Sequence, residues 1–217
     1  MPVCRWTEIA HWTFDGSGRD VSGHGRDLFA SANAAWGAGR IGQALDLHAA
    51  KPEVASPRLK LPGTFTVAFW ARLDPDAAAR PHPLLVLDSQ TGRDPEFSLM
   101  LQPTRATYGL VFEVRGRGLD ARAFAEPAVF APGRWQHVAL VVDSAQGRAA
   151  FYLNGREATA AGALRPGFQL NGVLRLGRRV AGGPLPFDGQ LDDLRIYARS
   201  LSPAEITTLA QGEMAAK

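Results

Sequence analysis

The stretch Phe187-Asp188-Gly189-Gln190-Leu191-Asp192-Asp193-Leu194-Arg195-Ile196-Tyr197, followed by Leu201-Ser202-Pro203-Ala204-Glu205-Ile206, sets the frame for the chain. An Asp-Gly turn leads into an alternating apolar and polar run, the pattern of a strand with one face on a core. A short helix follows. Ser202 is its N-cap, Pro203 its first residue, and Glu205 the capping-box acid. Ile206 and Leu209 give it one apolar edge, and Gly212 stops it. An isolated strand cannot bury such a face, so the rest of the chain must supply a sheet.

It does so repeatedly. Thr64 to Leu73 is rich in β-branched and aromatic residues, with Phe65, Val67 and Phe69 on one face and Thr66, Trp70 and Arg72 on the other. Gly133 to Asp143 is strongly apolar, ends in a Ser144–Arg148 turn, and returns as Ala149 to Leu153. Asn154-Gly155 then signals a type I′ hairpin. Further strands are expected at Ile9–Phe14, Gly42–His48, Leu84–Asp88, Glu96–Gln102, Tyr108–Arg115, Phe124–Phe130 and Val173–Gly177. Ala77 to Pro83 reads as a poorly ordered Ala/Pro loop. About a dozen strands with almost no helical period indicate an all-β sandwich or barrel.

Composition agrees. At 217 residues with 46% hydrophobic side chains, one large β domain is expected over 1–217, with its core at about 9–212. The 23 glycines and 15 prolines are spread along the chain as turns rather than clustered as a linker. Net charge is +3 and no basic run is interleaved with aromatics, so nucleic acid is not an expected partner. No apolar stretch reaches membrane-spanning length, so no membrane insertion is expected. The single cysteine, Cys4, allows no internal disulfide. Met1 to Glu8 lacks the basic start and apolar run of a signal peptide.

Between the first two strands lies Asp15-Gly16-Ser17-Gly18-Arg19-Asp20-Val21-Ser22-Gly23-His24-Gly25-Arg26-Asp27-Leu28. Four glycines in fourteen residues mark an ordered loop with left-handed backbone. A phosphate loop is excluded, because neither Lys-Ser/Thr nor a helix follows. Taken in order, this loop with Trp12-Thr13-Phe14, then Phe65-Thr66-Val67-Ala68-Phe69-Trp70, then Trp135-Gln136-His137-Val138-Ala139 with Phe151-Tyr152-Leu153-Asn154-Gly155, and finally the C-terminal stretch resemble the laminin-G-like domain of the concanavalin A-like lectin/glucanase superfamily. The resemblance implies a jelly-roll of two antiparallel sheets with one short C-terminal helix. It implies a non-catalytic module that recognises a carbohydrate or another surface ligand, commonly outside the cell or on its surface. A protein-interaction domain without sugar binding is the alternative.

The resemblance also implies a calcium site. Calcium takes six to eight oxygens, mixing carboxylates with carbonyls from an irregular loop. Asp20 would give a carboxylate, Gly23 and His24 carbonyls, and Asp192 a carboxylate from the neighbouring last strand. Against this stands a purely structural reading: Asp20 caps its own turn, and Asp192 or Asp193 pairs with an arginine. Asp15 is an alternative to Asp20. A glycosidase is not expected. Asp192 and Asp193 are adjacent on a strand and so should face opposite ways, whereas a retaining pair needs two carboxylates on one face. His11, His24, His48, His82 and His137 show no zinc spacing, and no nucleophile elbow occurs. Trp12, Trp70 and Trp135 are expected as core, and His137 as a satisfied sheet histidine. Arg72, Arg115 and Tyr108 are placed on strands able to line a sheet face.

Overall fold

The computed structural model describes residues 7–48, 52–89, 96–105, 107–115, 121–126, 130–161, 168–179 and 185–212. Cys4, most of the turn expected at 89–95, and residues 127–129 of the strand expected at 124–130 lie outside them. In chain order the strands are β1 (Glu8–Trp12), β2 (Phe29–Ala30), β3 (Ala35–Ala38), β4 (Gln43–Asp46), β5 (Val54–Leu61) and β6 (Thr64–Leu73). Then come β7 (His82–Asp88), β8 (Glu96–Pro103), β9 (Tyr108–Arg115), β10 (Ala121–Glu126), β11 (Gln136–Asp143) and β12 (Arg148–Leu153). The last are β13 (Arg156–Ala161), β14 (Leu170–Leu176), β15 (Arg178–Arg179), β16 (Leu185–Pro186) and β17 (Gly189–Tyr197), before the helix α1 (Pro203–Ala210).

The strands form a jelly-roll sandwich of two antiparallel sheets. One sheet runs β2-β5-β14-β7-β8-β9-β10, and the other β13-β12-β11-β6-β17-β4-β3 with β1 also on β17. Pairing of β10 with β13 joins them along one edge. The core is the layer between. Phe65, Val67, Phe69, Ala71 and Leu73 of β6 and Val138, Leu140 and Val142 of β11 supply one side. Phe97, Leu99 and Leu101 of β8 and Leu110, Phe112 and Val114 of β9 supply the other. Phe97 bridges the layers, 6.2 Å from Phe65 and 5.7 Å from Phe112 between ring centroids. Each such ring, fully buried, contributes roughly 1.5–3 kcal/mol.

Local chemistry explains the ends of elements. Asn154 and Gly155 have φ of 52° and 78°, the left-handed pair that a type I′ hairpin requires. Ser202 accepts from the Glu205 N–H while Glu205 accepts from the Ser202 N–H, closing the capping box. Two segments depart from the sequence reading. The loop before β7 is tied down, because Ala78 O accepts from Tyr108 Oη at 3.2 Å and lies 2.9 Å from His82 Nε2. Arg80 donates to Pro186 O at 2.8 Å and pairs with Asp188 at 2.6 Å. The second departure is β5, where Pro57 argues against a strand. It falls at a register shift against β14, where no ladder N–H is needed, and Ser56 Oγ accepts the Leu174 N–H there.

The last strand organises the second sheet. β17 pairs with β6 along one edge, and its other edge is shared: Gln190 and Leu191 pair with β4, Leu194 to Tyr197 with β1. The change of partner coincides with a bulge. Asp192 lies opposite Trp70 and Arg195 opposite Ala68, so three steps of β17 match two of β6. Asp193 is the extra residue, with φ of 47°. Aspartate is among the few residues that tolerate this region.

Candidate functional site

The bulge alters the geometry of the paired acids. Side chains of an unbroken strand alternate, and Asp192 and Asp193 would diverge. With the extra residue, both lie on the outer face of the sheet, away from the core. Asp192 shares its row with Trp70 and His137. Asp193 bonds His11 Nε2 at 2.7 Å and takes Nε and Nη2 of Arg195, each at 3.1 Å to one of its oxygens. Burial opposes its charge, but His11 and Arg195 outweigh this and hold the carboxyl below its usual range. The expected pairing of an acid with a neighbouring arginine is therefore Asp193 with Arg195.

Asp192 is fully buried. Its Oδ2 accepts from the N–H groups of Arg40 and Ile41, both at 2.8 Å, and fastens the turn between β3 and β4. Gly39 makes room for this, since a Cβ there would lie 2.7 Å from the same oxygen. Oδ1 has no hydrogen-bond partner. Burial pushes the carboxyl up to about 7, against the two N–H bonds and with the Asp193 charge adding to the rise.

Asp20 closes its own loop. Oδ1 accepts from the N–H groups of His11 (3.1 Å) and Ser22 (2.9 Å), and Oδ2 from that of Arg26 (2.9 Å). Asp27 accepts from the Asp20 N–H at 2.8 Å, and Trp12 Nε1 donates to Arg26 O at 2.9 Å. Burial alone would raise the Asp20 pKa, yet the Ser22 side chain and the N–H groups of Arg26, His11 and Ser22 hold it below the usual value. Gly23 and His24 lie exposed at the loop tip, Gly23 with φ of 92°. Asp15 is an anchor of the same kind, accepting from the Gln43 N–H at 2.8 Å.

This donor set does not fit the calcium expected between Asp20 and Asp192. Four of the six carboxylate–amide contacts converge on just two oxygens, Asp20 Oδ1 and Asp192 Oδ2, if Asp15 is counted with them. At those two oxygens the positive ends of N–H dipoles occupy positions a cation would need. Asp20 and Asp192 also hold different loops. Among the described residues no group of three or more His, Cys, Asp or Glu side chains is placed to hold a metal ion.

The aromatic candidates are buried or braced. Trp12 is fully buried and belongs to the core. Trp70 is buried on the outer face, with the Arg40 guanidinium 4.9 Å from its ring and His137 edge-on at 5.4 Å. Burial lowers the His137 pKa to about 4, and its Nδ1 has no hydrogen-bond partner, so it is a neutral buried histidine rather than a satisfied one. Trp135 is half-buried, with Arg72 5.5 Å from its ring. Tyr108 is in the core, and Arg115 pairs with Glu113 at 3.1 Å. Two surface groups escaped the sequence reading: Phe29 is 65% and Val21 43% exposed, both on the segment around the Asp20 loop. No periodicity in the sequence around them marked either as exposed.

A laminin-G family profile, described as Concanavalin A-like lectin/glucanases superfamily, matches residues 48–207. The chain belongs to this superfamily. Among curated proteins no sequence match is found. The superfamily fold recurs in domain 4 of AbnA, a GH43 extracellular arabinanase from Geobacillus stearothermophilus, in complex with arabinotriose. That likeness has 24% identity and a TM-score of 0.74, covering 94% of this chain and 98% of that one. It recurs in the binding domain of Botulinum Neurotoxin DC in complex with SialylT, at 13% identity and a TM-score of 0.69 over 96% of this chain and 52% of that one. The same toxin domain in complex with rat synaptotagmin II gives 13% and 0.69 over 97% and 52%. The lectin/glucanase chain described here thus spans about half of the toxin binding domains and nearly all of the arabinanase domain.

Proposed function

We propose that this chain is a non-catalytic carbohydrate-binding module. The observation that carries the reading is its full-length likeness to an arabinanase domain in complex with arabinotriose. Absence of catalysis is supported by the fate of the paired acids. Asp192 is wholly buried and Asp193 is 9% exposed, and both are committed to holding the fold. Carboxylates held in this way are poorly placed to act on a substrate bond, which supports the reading. The loops around Asp20 need no metal in this reading, because amide groups already satisfy their carboxylates.

Isothermal titration of the full chain with arabinotriose, alongside a glycan array, tests it. Saturable binding to at least one oligosaccharide is expected, with no reducing sugar released on prolonged incubation. Release of sugar would overturn the non-catalytic part. An array without hits would transfer the function to protein recognition. One observation favours that second reading: Phe29, the most exposed large apolar residue described, stands on an edge strand.

A further inference from the structure

The outer face of β11, β12 and β13 is only partly covered: Val141 and Ala150 pack against the cluster under α1 yet stay half-buried. Register sets Asp143 opposite Arg148, Val141 opposite Ala150, and Tyr152 between Ala139 and Glu157. α1 covers one end of this face. Its Ile206 and Leu209, with Leu201 before it, pack on Ala68, Ala139, Tyr152 and Tyr197. The cover is pinned. Thr66 Oγ1 donates to Arg199 O at 2.8 Å and accepts from the Leu201 N–H at 3.0 Å, and Thr207 Oγ1 donates to Gly155 O at 3.1 Å. It ends at Ser200, and beyond it the sheet face forms a cleft of about 180 Å³.

Val141 and Ala150 line this cleft with methyl groups, together with Tyr152. Around them stand Asp143, Arg148, Glu157 and Ser200. Tyr152, Glu157 and Asp143 are held in place by hydrogen bonds, while Arg148 is an exposed side chain at the rim. Tyr152 Oη donates to Glu157 Oε2 at 3.3 Å, and burial with the Glu157 charge raises the phenol pKa, keeping that proton in place. Asp143 Oδ1 accepts from the N–H groups of Ala145 and Gln146. Preorganised groups lose little entropy on binding.

The chemistry selects a ligand class. The volume is below the ~300–1,000 Å³ of sites for drug-sized molecules, so one ring fits. Two carboxylates beside one guanidinium disfavour a phosphate. A purely apolar ligand would cover the charges without pairing them. A sugar ring offers a C–H face to the methyls and tyrosine, and hydroxyls that both donate and accept. We propose that the cleft between the 144–147 turn and Ser200 is a carbohydrate subsite that takes one uncharged sugar ring, with Arg148 and Glu157 as its hydroxyl partners. This rests on the carbohydrate-binding reading above and gives it a location away from the Asp20 loop.

The test is a titration of the isotope-labelled full chain with arabinotriose and with each sugar found on the array, followed by NMR. Saturable shifts at the Val141 and Ala150 methyls and at the Arg148 amide are expected. Glu157→Gln should weaken binding at least tenfold. Ala150→Trp, which fills the cleft without removing a polar group, should abolish it, and melting temperature reports that each variant is folded. Sugar binding that shifts other residues and survives both substitutions overturns this location and leaves the carbohydrate reading standing. No binding of any sugar, in titration or on the array, overturns both.

Discussion

Asp20 is 6% exposed and takes three backbone N–H groups, whereas Asp192 is wholly buried and takes two. Each fastens an irregular loop to the same sheet. Their acidities nevertheless move in opposite directions, below the usual value for Asp20 and up to about 7 for Asp192. The difference lies in the balance of two opposing effects. Burial disfavours the charge in both, and N–H donors favour it. At Asp20, near the edge of solvent, the Ser22 side chain and three N–H donors win. Two donors lose at Asp192, where an oxygen is left without a partner.

The comparison can be broken most directly at Asp20. Asp20→Ala leaves three N–H groups without an acceptor, and a loss of about 3 kcal/mol is expected from denaturant unfolding. A loss as small as that of an ordinary surface substitution would mean the loop is held by something else. Asp192→Ala should cost less, about 1–2 kcal/mol, because two stranded N–H groups are offset by removing a carboxylate that is costly to charge. Asp192→Asn keeps an acceptor for Arg40 and Ile41 and never ionises. At pH 8 it should match or exceed the parent in stability.

Acidity sharpens the contrast. The folded pKa of Asp20 lies below its reference of 3.8, so its contribution is full above that value and is lost as pH falls through the folded one. Asp192 behaves oppositely. With a folded value of about 7 against 3.8, the unfolded chain loses this proton first. Its contribution therefore declines as pH rises from 3.8 to about 7. The stability of Asp192→Asn relative to the parent should rise across that window, as measured by unfolding at pH 4.5 and pH 8. A flat difference would place the Asp192 pKa in the ordinary range. The smallest effect is expected from chelation: EDTA should leave the melting temperature unchanged, and a fall reversed by calcium would restore a metal to the loops.

Much of this fold was legible. The inward residues of β6 and β11, the Asn154-Gly155 turn and the capped helix follow from periodicity and turn chemistry. Of the three tryptophans expected in the core, Trp12 is there, Trp70 is buried but outside both core clusters, and Trp135 is only half-buried. The bulge was readable but missed. Leu191, Leu194 and Ile196 all enter the core, and a spacing of three cannot keep one face in an unbroken strand. That phase slip is the written trace of Asp193. The Asp20 loop was harder, because its sequence suits both a metal and an Asx turn, and only the direction of the N–H groups separates them. The cleft beside Tyr152 was not legible. It depends on where α1 stops over the sheet, and so on contacts between residues far apart in sequence.

The divided edge of β17 bears on how the protein is made. Translation delivers β1, β4 and β6 long before the strand that must lie among them. Until β17 emerges, those three have no partner at this position, and their backbone groups are open to pairing with other chains. Closure of the second sheet is thus a late event, dependent on contacts that span most of the polypeptide, and such topologies fold slowly. Synthesis in the cell would leave a nascent chain with an incomplete sheet, its strand edges open to other chains until β17 arrives.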